Sequence, residues 1–491
     1  MHWSISMHDD VREAQIKIEA YAKKCGLDFF DTIFEMVSTD QMTAFAAFDG
    51  FPVRYPHWQF GMRYDQMMKK TEWGAHKIYE MVIQNDPSYA YLLSANSLVD
   101  QKMVIAHVYA HVDFFKNNMW FSKTERKMLD KMANHAVKIR AFMDELGQDR
   151  VEGFIDHVLA LESLIDPALP FVEKKHVLDD VAKKVPVKLK VPHGYMDDFM
   201  NPPEYMHEQA ERIQQEEERA KSLLKTPQSD ERDILLFLMQ YAPLEAWQKE
   251  VIDIIRNESY YFLPQRQTKI MNEGWASYWH ASMMTGGILG DSEIIDFADR
   301  HAGAMRLDPG NLNPYKIGLE LFRDIEERWN MGKHGVKYHA CENMLEKSIW
   351  NTNDNAGRKK IFEVRTTCND ASFIDQYMTE EFVEKLQLYM YRDKKIVSKD
   401  FSNIKDVLLR QLTNCGEPVL YVRDANFKNR HELLLWHSFE NTALDKAWAE
   451  KTMASLSVLW QRGVHVETQQ DGSRMLWSYR DGVFSEEKIV L

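Results

Sequence analysis

Apolar residues recur at intervals of three and four through most of the first 385 positions. The recurrence predicts helices over 8 to 25, 63 to 84, 97 to 115, 122 to 145, 204 to 225, 229 to 240, 244 to 284 and 314 to 330. Within the long 244 to 284 stretch Pro264 predicts a break, with the proline in the first turn of a new helix. From about 386 the period shortens toward two. Strands are expected at 386 to 391, 418 to 423, 432 to 438, 464 to 468 and 474 to 479, with helices near 402 to 413 and 443 to 462. The pattern predicts a mainly α protein, with a large helical domain over 1–385 and a smaller α+β domain over 386–491. Pro186, Pro192, Gly194, Pro202 and Pro203 mark an extended connector over 185 to 203, and the Glu, Gln and Arg of 208 to 221 read as a solvated helix face.

Two of the predicted helices carry polar groups where the pattern places core. In the run Met271-Asn272-Glu273-Gly274-Trp275-Ala276-Ser277-Tyr278-Trp279-His280, Glu273 and His280 lie two turns apart on one face, with only Ala276 and Ser277 between them. His107 and His111 stand at i, i+4 inside the apolar run from Val104 to Phe115. With 18 histidines in 491 residues, roughly 0.7 such pairs arise by chance, so the pair alone carries little weight.

The surroundings add to it. The strings from His107 to Asn118 and from Pro264 to His280 closely resemble signatures of the SpoVR family, stage V sporulation protein R. Further similarity runs through Ala242 to Gln248, Asn313-Pro314-Tyr315-Lys316-Ile317-Gly318 and Phe322 to Trp329, so the resemblance spans most of the chain. It implies a link to spore cortex formation or to stress physiology, often beside a PrkA-type serine kinase and a protein with a von Willebrand-like domain. No settled activity comes with it, so the chemistry rests on the residues.

A first-row divalent ion accepts imidazole and carboxylate ligands, and two histidines at i, i+4 reach a common ion while a partner helix supplies the rest. His107, His111 and His280 are the expected ligands of a zinc, manganese or iron ion. Glu273 is expected as a fourth ligand or as the base that takes a proton from the attacking water. Val108 and Ala110 occupy the positions where zincin motifs and their inverted form place a glutamate. The alternative is a pair of core histidines bonded to carboxylates, with Glu273 a buried structural partner. A two-metal site drawing on Glu72, His76, Glu80 or Glu258 is a third arrangement. Glu258 reads either as a carboxylate behind the ligands or as a surface residue. His301 reads either as lining the same cleft, near Tyr315, or as a cation at a helix C-terminus.

A net charge of −14 argues against broad nucleic-acid binding. Cys25, Cys341, Cys368 and Cys415 are scattered, which excludes a zinc ribbon or disulfide framework and fits a reducing cytoplasm. Neither a signal peptide nor a membrane-length apolar run is present, and no phosphate loop, dinucleotide fingerprint or serine-hydrolase elbow occurs. The expectation is a cytoplasmic metalloprotein that hydrolyses an amide or peptide-like bond, with a non-catalytic scaffold for the kinase system as the alternative.

Overall fold

The computed structural model describes residues 6–72, 80–172, 211–212, 226–307, 310, 312–392 and 395–489. The connector expected over 185 to 203, His76, the side chain of Glu72 and most of the charged stretch over 208 to 221 lie outside the described residues. The chain divides into two compact units, Met1–Asp156 with Asn257–Glu417, and His157–Arg256 with Pro418–Leu491. Residues 386–417 thus pack with the first unit, and the second takes in a stretch of the chain, 157–256, that precedes the C-terminal strands by far. The protein is mainly α, with an α+β C-terminal part.

The first unit is built around two helices that are apolar on every side and therefore buried on every side. Along the chain its elements include α1 (Asp9–Lys24), β1 (Thr32–Val37), β2 (Glu80–Ile83), β3 (Ser88–Leu93) and α2 (Leu98–Asn117). They continue with the part of α3 (Ala246–Gln267) from Asn257 onward, α4 (Lys269–Met283), α5 (Ile294–Ala304), α6 (Pro314–Asn330), α7 (Gly357–Thr367) and α8 (Asp370–Tyr377). Helices α2 and α4 are the central pair, and α4 packs against both α2 and α6. A capping box starts α2, with Ser97 and Asp100 satisfying each other's backbone N–H. Pro314 occupies the first turn of α6 behind an Asn313 cap.

Two expectations are corrected here. Pro264 does not open a helix: α3 runs through it to Gln267, and the break falls at Thr268, whose φ is −129°. Lying in the last turn, Pro264 gives up only its own missing donor, and the Thr268 hydroxyl donates to its carbonyl at 2.7 Å. The helix expected over 63 to 84 stops at Glu72, and 80–83 is a strand. It joins a three-stranded sheet of order β1-β3-β2, parallel between β1 and β3 and antiparallel between β2 and β3. Met81-Val82-Ile83 and Tyr89 to Leu93 are short apolar runs whose period does not separate strand from helix.

The second unit carries a five-stranded sheet from β4 (Leu420–Phe427), β5 (Glu432–His437), β6 (Val464–Gln470), β7 (Ser473–Arg480) and β8 (Val483–Lys488), ordered β8-β7-β6-β5-β4. Only β5 and β6 are parallel, and the helix Lys446–Trp460 lies between them in the chain, as a parallel crossover requires.

Helices α4 and α6 meet backbone to backbone. A Cβ on Gly274 would overlap the backbone of Gly318, and one on Gly318 would overlap the Ile270 carbonyl and Gly274. Both positions therefore admit only glycine. By contrast a Cβ on Gly153, within a helix, would meet nothing within 4 Å. Gly318→Ala is expected to lower stability by about 1–3 kcal/mol through overpacking. Gly153→Ala should leave it unchanged or raise it by up to about 1 kcal/mol through helix propensity. Thermal melts of both variants beside wild type check this.

Candidate metal centre

Helix α2 presents His107 and His111 on one face, their ring centroids 4.5 Å apart. Helix α4 starts without a cap of its own; Asp370, at the start of α8, accepts from the N–H groups of Ile270 and Met271 at 2.8 and 2.9 Å. One turn into α4 stands Glu273. The first residue of β2, Glu80, completes the cluster from the sheet.

His107 Nε2 lies 3.2 Å from Glu80 Oε1 and 3.4 Å from Glu273 Oε2, and His111 Nε2 lies 3.8 and 3.5 Å from the same two oxygens. None of these contacts satisfies the groups: His107 Nε2, Glu80 Oε2 and Glu273 Oε2 are buried without a hydrogen-bond partner. Such atoms are costly unless something else binds them. Ligands about 2.0–2.1 Å from a tetrahedral zinc ion are about 3.3 Å from one another, which is the spacing of this cluster. The donor set fits a divalent ion in kind as well as in distance.

The groups behind the ligand atoms fix their orientation. Asn272 Oδ1 accepts from His111 Nδ1 at 2.8 Å, which leaves the Nε2 lone pair facing the carboxylates. His107 Nδ1 is 2.8 Å from His280 Nδ1. Lys269 Nζ holds Glu273 Oε1 at 2.5 Å. Burial opposes the charge of Glu273, yet His107, His111 and Lys269 hold its carboxyl well below the usual range. Burial works the other way at Glu80 and raises it, against the pull of both histidines. His111 is raised, because Glu273 and Glu80 outweigh its burial. His280 is pushed well below the usual histidine range by burial and by the histidines around it.

The residues expected from the sequence are thus partly gathered. His107, His111 and Glu273 converge. Both ring nitrogens of His280 face imidazoles, Nδ1 that of His107 and Nε2 that of His301 at 2.9 Å, so it sits behind His107 and not beside it. His301 lies in α5 and stacks on Phe297 at 5.4 Å. Tyr315 opens α6 with its ring 6.2 Å from that of His107; burial and the nearby charges of Glu273 and Glu80 raise its phenol. Glu258 belongs to a different buried cluster, paired with Arg54 at 2.5 Å and His135 at 2.9 Å. Glu80 has no paired spacing to mark it, and only the two-metal arrangement had named it.

A second carboxylate aligns the helices. Asp113, fully buried on α2, accepts from Trp275 Nε1 of α4 at 2.8 Å, from Arg365 Nη1 of α7 at 3.0 Å and from the N–H of Asp28 at 2.8 Å. It ties α2, α4 and α7 within one turn of the ligand pair.

Comparison with known proteins agrees with the motifs. The family model described as "SpoVR like protein" matches residues 6–417. The chain is also similar to "Uncharacterized protein YcgB" of Escherichia coli strain K12, with 26% identity over 492 residues, covering 93% of this chain and 91% of that protein. No solved structure matches.

Asp113→Ala is expected to cost about 3–5 kcal/mol, because it strands the Arg365 guanidinium in the core. Asp113→Leu combined with Arg365→Met should recover most of that loss. Urea unfolding of the three proteins measures it.

Proposed function

The chain belongs to the SpoVR family, a sporulation-associated family, and on that premise we propose that it is a metallohydrolase of an amide or peptide-like bond. Glu80, His107 and His111 would hold one divalent ion, with zinc the first choice and manganese or iron the alternatives. The observation that carries this reading is the convergence of buried, unpartnered nitrogen and carboxylate atoms at ligand spacing.

Two histidines and one carboxylate leave one position for reactants, the arrangement of catalytic rather than structural sites. A bound ion would supply a Lewis acid to polarise the scissile carbonyl and acidify water. Glu273 is the base. Lys269 fixes one of its oxygens and keeps it ionised, so Oε2 is free to take the proton of the attacking water and pass it to the departing nitrogen. Tyr315, its ring beside that of His107 and its phenol raised by burial and the charge of Glu273, would donate to the oxyanion that forms. Glu80 and Lys269 are the more solvent-exposed members of the group, their side chains 21% and 58% exposed against 6% for each histidine.

A second reading is a non-catalytic partner of a PrkA-type kinase and a von Willebrand-like domain protein, working in the cytoplasm. What favours it is the apolar surface at Val336, Met344, Leu345 and Ile349, each at least 77% exposed.

Metal content by plasma mass spectrometry, on protein purified without a metal affinity column, separates these. About one equivalent in wild type is expected, retained in Glu273→Gln and lost in His107→Ala, His111→Ala and Glu80→Gln, with Glu273→Gln inactive in cells. Wild type still empty after incubation with zinc, manganese and ferrous iron would remove the metallohydrolase and leave the partner protein.

A further inference from the structure

His107, His280 and His301 form a file of three imidazoles leading from the ligand cluster through α4 to α5. Their contacts are Nδ1 to Nδ1 at 2.8 Å and Nε2 to Nδ1 at 2.9 Å. Each contact joins two ring nitrogens, and only one of the two can carry the hydrogen. Burial is the leading influence that lowers both His280 and His301, which favours their uncharged rings.

With one hydrogen on each ring the file admits two orders. In the inward order the hydrogens sit on His301 Nδ1, His280 Nδ1 and His107 Nε2, and His107 offers an N–H to Glu80 and Glu273. In the outward order they sit on His107 Nδ1, His280 Nε2 and His301 Nε2, and His107 offers a lone pair. A metal ion accepts only the lone pair, whereas two carboxylates without an ion favour the N–H. His111 has no such choice, since the amide oxygen of Asn272 can only accept.

We infer that His280 and His301 are positioning residues that couple ion binding at His107 to a concerted tautomer switch, ending at the partly exposed ring of His301. Every ring keeps one proton. The hydrogen on His107 Nε2 leaves for the cluster carboxylates or solvent, that on His280 Nδ1 passes to His107 Nδ1, and that on His301 Nδ1 passes to His280 Nε2. His301 Nε2 takes one from solvent. One proton departs at the site for each that enters at α5.

This rests on His107 being a ligand, and the experiment separates the two ideas. Nitrogen-15 histidine NMR of the metal-free protein should show Nδ1–H at His280 and His301, changing to Nε2–H with one equivalent of zinc, while His111 stays Nδ1–H. A wild type that binds no zinc overturns the ligand reading and the switch together. Zinc bound with His280 and His301 unchanged, or an outward order already present without metal, overturns the switch alone. Zinc affinity gives a second arm. His280→Asn, which supplies an acceptor as Asn272 does for His111, should stay within about 3-fold of wild type, and His280→Leu should weaken binding about 10–100-fold. Equal affinities for these two variants would also overturn the inference.

Discussion

Everything around the polar cluster depends on two helices touching without side chains between them. Where α4 crosses α6 at Gly274 and Gly318, the backbones approach more closely than any Cβ would allow. Glu273 directly precedes one of these glycines, and Tyr315 lies one turn before the other. The close crossing brings the Tyr315 ring of α6 to 6.2 Å from the His107 ring of α2. A bulkier crossing would move α6 outward by the thickness of a side chain and open the cluster on that flank. The rest of the α4 surface is occupied by Trp275, Tyr278 and Trp279, which fill the space that the glycines do not.

The helix pair is held by polar contacts in an otherwise apolar interior, and these divide into two kinds. Asp113 with Trp275, Arg365 and the Asp28 amide is closed: its oxygens have partners on every side, so the buried charge is compensated and the elements are pinned in register. Two residues away, at His111, begins the candidate metal cluster, where His107 Nε2, Glu80 Oε2 and Glu273 Oε2 are buried without hydrogen-bond partners. Proteins rarely leave such groups unsatisfied. The contrast separates a carboxylate whose partners are all present from carboxylates that a cation could satisfy.

Much of this was legible in the chain and some of it was not, for identifiable reasons. Helices such as 314 to 330 show a sustained 3.6-residue period and were readable almost to the residue. His107, His111 and Glu273 were readable because a helix fixes which residues share a face. The same rule misplaced His280: spacing puts it on the face of Glu273 but cannot say that it lies behind His107 and not level with it. Glu80 was hidden because it stands at the head of a four-residue strand whose apolar run has no diagnostic period, and the pairing that positions it is with Leu92. Pro264 misled because a proline near the end of a helix removes one bond without ending the helix.

That Glu80, the one residue of the candidate ligand set outside the helices, comes from β2 has a mechanical meaning. In the order β1-β3-β2 this strand is at the edge, hydrogen-bonded on one side to β3 alone among the described strands. The histidines ride on a helix that is buried from Val104 to Phe115, but Glu80 rides on an edge strand of a small sheet. An ion shared between them would act as a rivet between two pieces that otherwise open with different free energies, making the edge of the sheet and the central helices unfold as one unit. Occupancy would then be felt as rigidity at a distance from the ligands, along the strand and into the sheet that carries it.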